Sequence, residues 1–87
     1  MKPAAVEFLV TDFLDEIVAE GGIDYATTEA VCKIVDRISS ECQLRYNYNY
    51  KFDSAYFDRS GKRLVKFIFF NEKDAMMTKL KGLSYDG

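Results

Sequence analysis

From Leu44 to Phe52 apolar and polar residues alternate without a break: Leu44, Tyr46, Tyr48, Tyr50 and Phe52 against Arg45, Asn47, Asn49 and Lys51. Successive side chains of a strand point to opposite faces, so this period predicts a strand with one buried face. A strand needs a neighbour for its main-chain groups, and the chain offers one. Asp58-Arg59-Ser60-Gly61-Lys62 supplies turn residues, and Gly61 can take the left-handed conformation that closes a hairpin. The expected return strand is Arg63 to Phe70.

Pairing residue 58 with 62 sets Tyr56 against Leu64, Phe52 against Ile68 and Tyr50 against Phe70, a continuous apolar face for helices to cover. Lys51, Val65, Phe67 and Phe69, with Lys66 beside them, are then expected on the outer face. A slip of one residue would exchange the two faces.

Around this hairpin the spacing is helical. Val6, Leu9, Val10, Phe13, Leu14, Ile17 and Val18 predict a helix from Pro3 to Glu20, stopped by Gly21-Gly22. Asp12, Asp15, Glu16 and Glu20 fall on its outer side. Asp24 or Thr27 can cap a second helix running to about Cys42, with Val31, Ile34, Val35, Ile38 and Cys42 on one stripe. Two such helices joined by a short link are expected to pack as an antiparallel hairpin. A last short helix follows the Asn71 cap, with Ala75, Met76 and Leu80 facing inward and Gly82 as its stop. The expected fold is a single α+β domain over residues 1–87 in the order helix, helix, strand, strand, helix.

Composition narrows the function. The chain has no histidine, which removes the commonest general base and metal ligand. Cys32 and Cys42 alone do not make a four-ligand zinc site, and no glycine-rich phosphate loop precedes a Lys-Ser/Thr pair. The inventory therefore points to a non-catalytic binding protein without cofactor or metal. No apolar run approaches the ~18 residues of a membrane span, and the first residues do not read as a targeting segment, so a cytoplasmic location is expected. Residues 1–44 carry nine acidic and three basic side chains, a balance of −6, and residues 45–87 five acidic and nine basic, a balance of +4. Such polarity steers a charged partner to one side of a molecule, unless the opposite charges meet inside the fold.

Two partial resemblances bear on the partner. Arg63-Leu64-Val65-Lys66-Phe67-Ile68-Phe69-Phe70 followed by Asp74-Ala75 resembles the third strand and second helix of an RNA-recognition motif, with Arg63, Phe67, Ile68 and Phe70 at matching positions. Leu64, Val65 and Lys66 depart from that pattern, and the acidic N-terminal segment supplies no counterpart of the motif's first strand. Phe67-Ile68-Phe69-Phe70 with the helix Asp74-Ala75-Met76-Met77-Thr78-Lys79-Leu80 is similar to short accessory proteins of tailed bacteriophages. That resemblance implies a stoichiometric factor that docks on and modulates a host protein in the host cytoplasm.

The expected function is therefore protein binding, through the acidic helix (Asp12, Asp15, Glu16, Glu20) or the outer hairpin face (Lys51, Val65, Lys66, Phe67, Phe69). The alternative is an RNA or single-stranded DNA binder using the basic aromatic hairpin. A two-stranded ribbon has open edges and little buried area, and Val65, Phe67 and Phe69 would be an exposed apolar patch, so a homodimer through that face is also expected.

Overall fold

The computed structural model describes residues 2–14 and 23–85. Its elements are β1 (Ala4–Leu9), a 3-10 turn (Val10–Phe13), α1 (Ile23–Cys42), β2 (Tyr50–Phe57), β3 (Arg63–Phe69) and α2 (Glu72–Leu80). The three strands form an antiparallel sheet in the order β1-β3-β2, the split β-α-β arrangement.

The α+β class holds, but the order helix, helix, strand, strand, helix does not. The segment expected to open a first helix is a strand and a tight turn. Val6, Phe8 and Val10 are buried while Ala5, Glu7 and Leu9 are more open, a period of two. Over so few residues the segment offers both patterns, Val6, Leu9, Val10 and Phe13 at helical spacing and Val6, Phe8 and Val10 at a spacing of two, and the vacant edge of β3 decides between them. Val6 pairs with Phe67 and Phe8 with Val65. The remainder of the expected first helix, with Asp15, Glu16 and Glu20, lies outside the described residues, as does the Gly21-Gly22 stop.

α1 has the expected stripe. Ala30, Ile34, Ile38 and Cys42 are buried, with Val31 and Val35 packed against the same core. It begins at Ile23, upstream of both residues expected as its cap. Gln43, in the left-handed region at φ 55°, ends it.

The strand expected from Leu44 begins only at Tyr50. Residues 45–49 fold into a turn in which Tyr48 and Asn49 donate to the Arg45 carbonyl (3.1 and 2.9 Å) and the Asn49 side chain accepts from the Arg45 N–H (2.9 Å). Asn47 takes a positive φ of 70° there, a conformation asparagine tolerates better than most residues. The tyrosine alternation thus belongs partly to a turn.

The expected pairing holds from Phe57 against Arg63 to Ser54 against Lys66, and then slips. Asp53 is an extra residue: Phe52 pairs with Phe67, Lys51 with Ile68 and Tyr50 with Phe69. This bulge rotates the first half of β2, so Tyr50 and Phe52 join Val65, Phe67 and Phe69 on the face beneath α1. The expected outer face is therefore reversed at three positions. Val65, Phe67 and Phe69 are fully buried, whereas Phe52 is 36% exposed. The dimer argument built on those three side chains falls with them, because the monomer already covers them.

α2 closes one end of the core. The Asn71 side chain accepts from the Lys73 N–H at 3.0 Å, and Gly82 ends the segment at φ 76°. Ala75 and Thr78 turn inward, with Leu83 and Met77 against the core. Met76 and Leu80, expected inward, are 61% and 86% exposed. Residue 85 then runs beside β1, its N–H donating to the Glu7 carbonyl at 2.8 Å.

Two stability predictions follow from this core. Phe67→Ala removes the ring under α1 and is expected to cost about 3–5 kcal/mol in denaturant unfolding, the range for buried aromatics. Tyr50 is fully buried, stacked on Phe69 at 5.0 Å, and its hydroxyl meets no hydrogen-bond partner among the described residues. Tyr50→Phe is expected to leave stability unchanged or raise it by about 1 kcal/mol, since it deletes an unsatisfied polar group without changing the ring.

Candidate functional site

Exposed rings gather along the β2 side of the molecule. Tyr46 and Phe52 border a groove of about 390 Å³ whose opposite wall is α1. Thr27, Thr28, Val31 and Cys32 form that wall, and Arg63 reaches across one end. The Arg63 guanidinium is held in place: Nε donates to Thr27 Oγ1 at 3.2 Å, and its carbon lies 4.7 Å from the Phe57 ring centroid. Stacking on an aromatic face suits a guanidinium and leaves its other N–H groups available. Beyond the groove Phe57 is 52% and Tyr48 72% exposed, the latter beneath Arg45 at 4.9 Å.

The bulge at Asp53 creates this site. By turning Phe52 toward α1 it places that ring against Phe67, 5.8 Å between centroids and nearly perpendicular, with its outer side open. Tyr46 leans on Tyr50 and Phe67, and its hydroxyl accepts the Phe52 N–H at 3.1 Å. Both groove rings are thus fixed from behind by buried ones, a preorganised surface of the kind that binds at low entropic cost.

The opposite, open face of the sheet has a different character. The Tyr56 hydroxyl donates to the Glu7 carboxylate, and Lys66 lies 5.9 Å from the Tyr56 ring centroid and 3.8 Å from Asp53. The Lys66–Asp53 pair and the Tyr56–Glu7 bond thus link side chains of all three strands. Bases could not stack on Phe67 or Phe69, which face α1. The departure of Leu64, Val65 and Lys66 from the RNA-recognition pattern therefore matters, although the N-terminal segment does supply a strand beside β3.

The remaining expected site residues are scattered. Lys51 is exposed on the open face, Lys66 is half-buried in the network just described, and Asp12 is exposed in the 3-10 turn, where it borders a second cavity with Lys33, Asp36 and Arg37. The acidic helix does not form at Asp12, and its other three acids lie outside the described residues. Among the described residues no three His, Cys, Asp or Glu side chains converge as metal ligands, and no helix is long and apolar enough to cross a membrane. Tyr46, Phe52 and Arg63 were not singled out as a site from the sequence. The Tyr-Asn-Tyr-Asn-Tyr run read as one face of a strand, and the one-residue bulge that brings Phe52 beside Tyr46 left no mark in the periodicity.

Two phenols are displaced upward. The hydrogen bond to Glu7, with burial and that carboxylate's charge adding, pushes Tyr56 up to about 12, and burial, then Tyr46, Cys42 and Asp36, pushes Tyr50 up to about 12. The folded state holds these protons more tightly than the unfolded chain, whose value is 10.0. Their contribution is therefore complete below pH 10.0 and lost as pH rises toward 12. Absorbance titration is expected to show the Tyr50 and Tyr56 phenols ionising toward pH 12, and Tyr56→Phe should flatten the alkaline loss of stability. An alkaline unfolding curve unaltered in that variant would count against the Glu7–Tyr56 bond.

Compared with protein-family models, with curated proteins and with solved structures, the chain matches none.

Proposed function

We propose that this chain is a small non-catalytic binding protein that docks a protein partner on the groove between α1 and β2. The observation that carries the reading is the pair Tyr46 and Phe52, rings held open to solvent and braced from behind, with the anchored Arg63 at the groove's end. Aromatic and arginine side chains dominate the energetics of protein interfaces, and exposed rings grouped at one groove mark such a site. The resemblance of residues 67–80 to phage accessory proteins suggests that the partner is a host component, modulated by stoichiometric binding in the host cytoplasm.

The RNA or single-stranded DNA reading retains one observation, Arg45 over the exposed Tyr48 ring in the basic half of the chain. Against it stands the burial of Phe67 and Phe69, the rings on which bases would have to stack.

Cys32 makes the test direct, because it lines the groove and is exposed while Cys42 is buried. The tagged protein is used to capture partners from bacterial lysate before and after alkylation with a bulky maleimide. A retained protein, stable to nuclease, is expected to be lost on alkylation and kept by a Cys32→Ser variant given the same treatment. Retention of nucleic acid instead, weakening steeply with salt as phosphate contacts do, would contradict the reading.

A further inference from the structure

The sheet has two edges, and the molecule treats them differently. Along β1 the Glu7 carbonyl points outward, and the C-terminal segment meets this edge through the Tyr85 N–H, which donates to it. Along β2 only the first half is covered. The Tyr50 carbonyl accepts from the Asn47 N–H at 2.7 Å, and the Phe52 N–H is taken by the Tyr46 hydroxyl. Past the bulge the covering stops. Asp58 donates to the Lys62 carbonyl at 2.9 Å, so by the alternation of an antiparallel ladder Tyr56 and Ser54 bond to β3 while Ala55 and Phe57 direct their N–H and C=O groups outward. Among the described residues no main-chain group bonds to that stretch.

We infer that the partner enters as an extended acidic peptide segment that pairs with β2 at Ala55 and Phe57 and sets an apolar side chain into the neighbouring groove. This rests on the groove reading above and specifies its ligand. Main-chain pairing supplies affinity in strand addition, and pockets for alternate side chains supply specificity. Ala55 and Phe57 lie on the α1-facing side of the sheet, so every second residue of an added strand points toward the groove wall.

Charge selects the occupant. Arg59 and Arg63 flank the edge, and neither takes part in the ion pairs among the described residues, Arg37 with Glu41 and Lys66 with Asp53. Asp58, next to Phe57 in the chain, is occupied by the turn, where its Oδ1 accepts from Ser60 and Lys62. A second copy of the chain would bring the same arginines to the edge and repel itself. A nucleic acid has no backbone amide ladder to offer.

The probe is a set of dodecapeptides selected from a random displayed library on the full chain and resynthesised. Selected sequences are expected to carry Asp or Glu within about two residues of an apolar side chain. They should slow exchange of the Ala55 and Phe57 amides by about tenfold or more, and weaken by about tenfold on Ala55→Pro. That substitution deletes only an outward N–H, which an edge strand tolerates. Should the variant not fold, the exchange measurement on the unaltered chain decides. Peptides blocked by alkylation of Cys32 that leave those amides unprotected would overturn edge pairing while the groove reading stands. Peptides indifferent to both, or none selected at all, would overturn both. Selected peptides rich in Lys and Arg, or a chain that dimerises at micromolar concentration with those two amides already protected, would overturn the acidic foreign peptide.

Discussion

The Phe67 ring is the contact on which the rest of the molecule depends. It lies on the central strand and meets rings from both neighbours, Phe8 at 5.5 Å and Phe52 at 5.8 Å, as well as Tyr46 and Tyr50. Edge-to-face pairs of this kind add about 0.5–1.5 kcal/mol each beyond the area they bury. The hydrophobic demand of this cluster, rather than the intrinsic preference of any segment, determines which side of the sheet α1 covers. A hairpin in perfect register would place Phe52 on the face opposite Phe67 and divide the aromatic residues between core and solvent. One unpaired residue at Asp53 avoids that, and the loss in the ladder is local.

From the bulge the functional surface follows. Phe52 cannot be wholly buried, because it sits on an edge strand with its inner side against Phe67, so one side of the ring stays open. The turn at residues 45–49 brings Tyr46 next to it and blunts half of the edge, a common defence against unwanted strand pairing. The half left uncovered adjoins Arg63 and the groove. The same bulge puts Asp53 within reach of Lys66 on the other face, so a single inserted residue shapes both sides of the sheet.

Much of this was legible in the residues and some was not. The stripe of Ile34, Ile38 and Cys42, the Gly61 turn with φ 85° and the Asn71 cap are local signals, and each is realised. The pairing of Tyr56 with Leu64 and Ala55 with Val65 was also readable, since the turn fixes it. What the periodicity could not convey was non-local. Residues 4–9 satisfy a helical stripe and a strand alternation alike, and only the exposed edge of β3 distinguishes them. The bulge has no composition of its own; Asp53 reads as one more polar residue in the alternation. The groove inherits that difficulty, because it joins residues 27–32, 46, 52 and 63 through the very register that the bulge alters.

The most direct measurement is therefore of the register across the bulge. Cross-strand nuclear Overhauser contacts in the isotope-labelled protein should join Phe52 to Phe67 and Lys51 to Ile68, with the Phe67 ring touching the Phe8 side chain. Contacts from Phe52 to Ile68 and from Asp53 to Phe67, with Phe67 open to solvent, would restore the unbulged hairpin and remove the groove, the braced rings and the account built on them.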